Sequence, residues 1–191
     1  MAAPSFRFDE ARHEYFLGDK RIPSITQLLD MGGLVNGAAY FTEESRRRGT
    51  EVHQLCADWD MGALDPLTVT SNRLPYLLGY IAASAALKPT WEAIEEADVH
   101  PGYGFAGRTD RVGLVLKRKT VAEIKSAAKA KHHAIQTALQ ALLASARWPL
   151  PAEKWQRLVI YVKATGKFTV ERHEDRRDFD TALDLIRRFA R

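Results

Sequence analysis

The chain holds one cysteine, Cys56, in 191 residues. That excludes an internal disulfide and a four-cysteine iron–sulfur cluster, and it fits a reducing compartment such as the cytoplasm. No apolar run approaches the roughly 18 residues of a membrane-spanning helix. The opening MAAPSFRFDEARHEY lacks the apolar core of a signal peptide, so no secretory leader is expected. Internal repeats and low-complexity segments are also missing. What remains is a globular composition, 46% hydrophobic, able to bury a real core. The length predicts a single domain over 1–191, with a β/short-helix extension over 1–35 and the core over 36–191. The net charge of +4 is compatible with a nucleic-acid partner without itself indicating one.

Read in order, Phe6, Phe8, Tyr15, Phe16 and Leu17 are spaced by polar residues, with a turn at Gly18-Asp19. They predict a small β element over 5–22. Ser24 is a candidate N-cap for a short helix ended by Gly32-Gly33. A long helix is expected over 38–59, with Val52, Leu55, Cys56 and Trp59 as its apolar stripe. A second, over 74–87, would bury Leu74, Leu77, Leu78, Ile81 and Ala85. Trp91 to Val99 reads as an acidic strand. On it Glu96 could approach a metal, although a solvent-facing residue is the simpler reading. A helix over 130–146 would bury Ile135, Leu139, Leu142 and Leu143. His132 and His133 diverge by about 100° on that helix, cannot chelate together, and belong at most on a ligand-facing rim. A β-hairpin over 157–171 and a helix over 178–190, burying Phe179, Leu183, Ile186 and Phe189, close the chain. Pattern alone gives an α/β or α+β fold.

The chemistry concentrates between Phe105 and Gln136, which reads strand, turn, strand, helix start. Side chains alternate along a strand, so Glu123 and Lys125 point the same way. A carboxylate beside an ammonium on a strand fit for burial is costly unless paired or binding something. If the strand carrying Asp110 pairs with this one, a second carboxylate reaches the same spot. With a backbone carbonyl such as that of Ile124, they make a hard oxygen site suited to Mg²⁺ or Mn²⁺, one or two ions. Gly107 near Asp110 suggests a bulge or a close backbone approach.

Gly107-Arg108-Thr109-Asp110, then Glu123-Ile124-Lys125, then Gln136 resembles the PD-(D/E)xK nuclease superfamily, in particular its RecB-like and phage-type exonucleases. Their third motif is Q-x-x-x-Y; here the last position is Gln140. The opening from Tyr15 through Ile22-Pro23-Ser24-Ile25-Thr26 is similar to the phage-type members. The resemblance implies a restriction-endonuclease-like αβββαβ core with a central mixed sheet. It implies metal-dependent hydrolysis of DNA phosphodiesters, most of all by an exonuclease of recombination, repair or replication, working beside a single-strand-annealing protein in a bacterial or phage-infected cytoplasm.

On this resemblance Asp110 and Glu123 bind metal with the Ile124 carbonyl, and His53, on its helix, contributes another contact. Lys125 handles the attacking water, and Gln136 supports Lys125 or the substrate. A helix histidine hydrogen-bonded at the core edge is the plain alternative for His53. Arg46-Arg47-Arg48 is either a solvated surface or a source of phosphate clamps, with Arg48 nearest His53. Arg108, Lys129 and Lys131 are the other candidate DNA contacts. An endonuclease on the same core, and a non-catalytic DNA-binding protein that keeps the nuclease fold, are the other readings.

Overall fold

The computed structural model describes residues 4–35 and 42–190. It is a mixed α+β fold built on a five-stranded mixed sheet. The chain opens with a three-stranded antiparallel meander: β1 (Phe6–Asp9), β2 (Glu14–Leu17) and β3 (Lys20–Ile22). Helix α1 (Ile25–Met31) follows, capped by Ser24, whose Oγ accepts from Gln27 N while the Gln27 side chain accepts from Ser24 N. This reciprocal pair satisfies two backbone donors that a helix start otherwise leaves open. Helices α2 (Glu43–Asp60) and α3 (Leu74–Leu87) precede the main sheet. The expected start of the long helix, 38–41, lies outside the described residues; α2 begins after an N-cap at Thr42.

The sheet runs in sequence order: β4 (Pro89–His100), β5 (Phe105–Val115), β6 (Arg118–Lys125), β7 (Gln156–Val162) and β8 (Phe168–Arg172). Only β6 and β7 pair in parallel. Parallel neighbours need a crossover, and α4 (His132–Arg147) lies within it. β7 is buried at all seven positions, which explains its unbroken apolar LVIYV and its place inside the sheet. The last helix is α5 (Arg177–Phe189).

Helices α1, α4 and α5 pack on one face of the sheet, around Leu28, Val121, Leu139, Leu143 and Ile186. Helices α2 and α3 cover the other, around Val52, Cys56, Tyr80, Ile124 and Leu158. Each such large apolar side chain contributes about 1.5–3 kcal/mol by leaving water. The meander packs through Tyr15 and Ile22 against Ala106 of β5.

Several stripes differ from expectation. Trp59 is 41% exposed, because the buried line of α2 runs through Val52, Cys56 and Ala57. Helix α3 buries Tyr76, Leu77, Tyr80 and Ala83, while Leu74 and Leu78 face out and Ala85 is exposed. Gly79 turns this face inward: a Cβ there would sit 3.0 Å from the carbonyl oxygen of Lys167 in the β7–β8 turn. Helix α5 buries Ala182 and Leu185 beside Phe179 and Ile186, with Leu183 and Phe189 only partly covered. Gly107 sits in regular register opposite Asp98, where Ile25 crowds it. The irregularity falls instead between Trp91 and Ala93, across from Gly113.

Candidate metal centre

The site forms where β5 and β6 part. Their ladder ends at the pair Arg111 and Ala122. One step further, Asp110 and Glu123 are no longer paired by backbone bonds. Instead Asp110 Oδ2 accepts the Ile124 N–H at 2.7 Å. In an extended strand a residue's N–H and C=O lie on the same edge, so the Ile124 carbonyl faces the same gap.

Both carboxylates are buried, Asp110 at 5% and Glu123 at 3% exposure. Glu123 is held by three donors. Lys125 Nζ lies 2.6 Å and Gln136 Nε2 2.7 Å from Oε1, and Gln140 Nε2 donates to Oε2. Gln136, expected to support Lys125 or the substrate, donates here to Glu123, the partner of Lys125. Gln140, the departure from the family motif, supports it from one turn further along α4.

His53, on α2, brings Nδ1 to 3.5 Å from Asp110 Oδ2 and 3.4 Å from Glu95 Oε1. Glu95 is the acid that sequence reasoning missed. Ile94 pairs with Arg111 and Glu96 with Thr109, which sets Glu95 across from Asp110. Its φ of +51° is left-handed, a conformation costly for a side-chain-bearing residue. Strand parity says only that one of Glu95 and Glu96 shares a face with Asp110; the register of β4 on β5 decides which. Glu96 faces out, the simpler of its two readings, and its Oε2 takes the Arg147 guanidinium at 2.5 Å. His53, Glu95 and Asp110 each offer a ligand atom, all within 4.8 Å of one another.

Behind Glu95 lies Arg111, with no exposed surface. Its Nε donates to Asp60 at 2.7 Å, and its Nη1 to Glu95 at 3.1 Å and to the Asp110 carbonyl at 2.6 Å. Tyr80 also donates to Asp60. A buried guanidinium with these partners helps fix Glu95, through the same Oε1 that His53 approaches.

Burial, then the Glu123 charge, pushes the Asp110 carboxyl up to about 7. Burial also works to raise Glu123, but Lys125 and His53 outweigh it and hold the carboxylate ionised, below its usual range. Burial would lower His53; Asp110 and Glu95 overcome it and raise the imidazole to about 9. Lys125 is likewise raised, because Glu123 and Asp110 outweigh its burial. This donor set fits a divalent cation: buried carboxylates that repel each other, an imidazole beside them and a carbonyl edge.

A cleft of about 720 Å³ opens onto this group, reaching His53, Glu95 and Lys125 on one side and Arg46, Arg108 and His13 on the other. Of the expected DNA contacts, Arg108 lines it, with Nη2 3.3 Å from Glu10. Arg46 lines it rather than Arg48, which is half-buried. Lys131 is exposed, and Lys129 lies 3.4 Å from Glu171. His133 is not on a rim: it is buried, with Nδ1 2.8 Å from the Tyr161 hydroxyl.

No protein-family profile matches the chain. No curated protein matches it either. Among solved structures it is similar to the crystal structure of SSO0001, at 14% identity over 85% of this chain and 83% of that chain, with a TM-score of 0.33. No helix among the described residues is long and apolar enough to cross a membrane.

Proposed function

We propose that the protein is a Mg²⁺- or Mn²⁺-dependent deoxyribonuclease with a restriction-endonuclease-like core, acting as an exonuclease in the cytoplasm. What carries the reading is the meeting of Asp110, Glu123 and Lys125 at the split between β5 and β6, with His53 beside them. Asp110, Glu123, His53 and the Ile124 carbonyl would hold the cation, joined by Glu95. Such an ion, when bound, polarises a phosphoryl oxygen and acidifies water. The chain's own part is orientation. Gln136 and Gln140 fix the Glu123 carboxylate, and Arg111 fixes Glu95. Lys125 is a charged donor at the reacting centre, placed to orient the attacking water and offset charge developing on the phosphoryl oxygens. Arg108 and Arg46 would grip phosphates along the cleft. A single-strand-annealing protein is the partner this role would call for.

The test is one gel. Linear duplex, linear single strand and closed circles of each are incubated with Mg²⁺ or EDTA, wild type beside Lys125→Ala. Loss of linear DNA alone, requiring both metal and Lys125, is the expected result. Cut circles would move the assignment to an endonuclease. Intact DNA in every lane would refute catalysis, and a gel shift alongside it would leave a DNA-binding protein.

A further inference from the structure

At the far end of the sheet, a second cleft of about 240 Å³ collects cationic side chains. It lies where β6 and β7 begin and β8 ends. Strand β6 separates it from Lys125 by seven residue steps, about 23 Å at roughly 3.3 Å each, so it is no part of the metal centre. Arg118, Lys154, Arg172 and Arg176 line it. Arg118, Lys154 and Arg176 have no ion-pair partner among the described residues. Arg172 has only Glu174, at a loose 3.7 Å. The carboxylates of Glu153 and Glu174 also line the cleft and leave an excess of positive charge there.

The cleft is organised rather than a loose fringe of side chains. Arg157 forms a fixed, buried part of its wall. Its guanidinium donates to Asp178 Oδ2 at 2.8 Å and to the carbonyls of Ala134 at 3.0 Å and Asp175 at 2.9 Å. Gln156, with its amide oriented to donate to Thr120, accepts from Arg172 at 3.0 and 2.7 Å and holds that guanidinium in place. His173 also lines the cleft, and its Nε2 is buried without a hydrogen-bond partner. A planar guanidinium held in advance loses little freedom when it takes an oxyanion bidentately. At about 30 Å³ per water, the volume equals about eight waters, room for a phosphate group with part of its ester.

We propose that this cleft is an anion site for a phosphate ester, gripped by Arg118, Arg172, Arg176 and Lys154, and that it needs no metal. The phosphate belongs either to a nucleic-acid backbone or to a small phosphorylated molecule. The first source would give the protein a hold on DNA remote from the metal centre.

The full-length chain in EDTA is titrated with inorganic pyrophosphate by calorimetry, and with a labelled DNA duplex by anisotropy across a salt series. Wild type is compared with the double variant Arg172→Gln/Arg176→Gln and with Lys154→Glu, each with its unfolding midpoint measured. A backbone source predicts weaker duplex binding, with a salt slope smaller by about 0.9 in the double variant, the amount for the one phosphate the protein no longer neutralises. A small-molecule source predicts that pyrophosphate binding disappears with the duplex curve unchanged. If wild type and both variants behave alike in both titrations, the site does not exist. The gel with Mg²⁺ reads the nuclease and these titrations, run in EDTA, read the anion site, so failure of the nuclease reading and failure of this one are separable.

Discussion

Glu123 shows how much of a site rests on the side chains that hold one carboxylate in place. Three side chains converge on its two oxygens, and two of them come from one face of α4, four residues apart. Gln140 is the deepest of the three, with no exposed surface. Replacing it with leucine keeps the volume roughly constant but leaves one carboxylate oxygen short of a donor. The expected result is a 10- to 100-fold loss of Mn²⁺ affinity, the usual effect of removing a group that orients a metal ligand. Calorimetric titration of Gln140→Leu measures it, and an unchanged affinity would mean that Gln136 and Lys125 suffice. Asp110 and Glu123 were legible in the sequence because D…E-x-K spacing on strands specifies one shared spot. Glu95 and Gln140 were not. One looked like one of several acidic residues on a strand, and the other like a departure from a motif.

Among the elements, the strands were easier to read than the helix faces. Burial on both sides favours an unbroken apolar run, and in β7 that is visible in LVIYV, after the paired Gln156 and Arg157. A helix such as α3 is apolar nearly all round, so periodicity offers several stripes and the choice falls to close packing. Here Gly79 decides it, and Leu74 and Leu78 are left facing solvent. A second glycine lies across from the irregularity in β4. At Gly113 of β5, an added Cβ would collide with the Thr90 carbonyl oxygen and crowd the Trp91 Cα at 2.8 Å. These are backbone atoms at a bulge and have little room to yield. Gly113→Ala should lose about 1–3 kcal/mol, the usual range for overpacking, read as a lower urea midpoint. Because the bulge lies in the strand that carries Glu95, a variant that stays folded should also bind Mn²⁺ more weakly. Wild-type stability in this variant would mean that β4 can slide away.

Over the whole molecule, the sheet separates two kinds of chemistry. Acids gather where β5 and β6 split, and arginines gather where β6 and β7 begin. The acidic end carries its own counter-charge: Lys125 lies against Glu123, the raised imidazole of His53 beside Asp110 and Glu95, and Arg111 between Asp60 and Glu95. Such a centre is close to neutral before any ion arrives. Small zinc domains, whose ligands have nothing to hold them without metal, behave differently. This chain should therefore pass through a chelating column intact and unfold in one cooperative step afterwards. Added Mg²⁺ should raise its melting midpoint only as far as the ion's own affinity allows. Unfolding on chelation, followed by circular dichroism, would show that the ion is a structural pillar of the fold. Retention of the folded signal would show a fold that stands without any ion, its charges already answered from within.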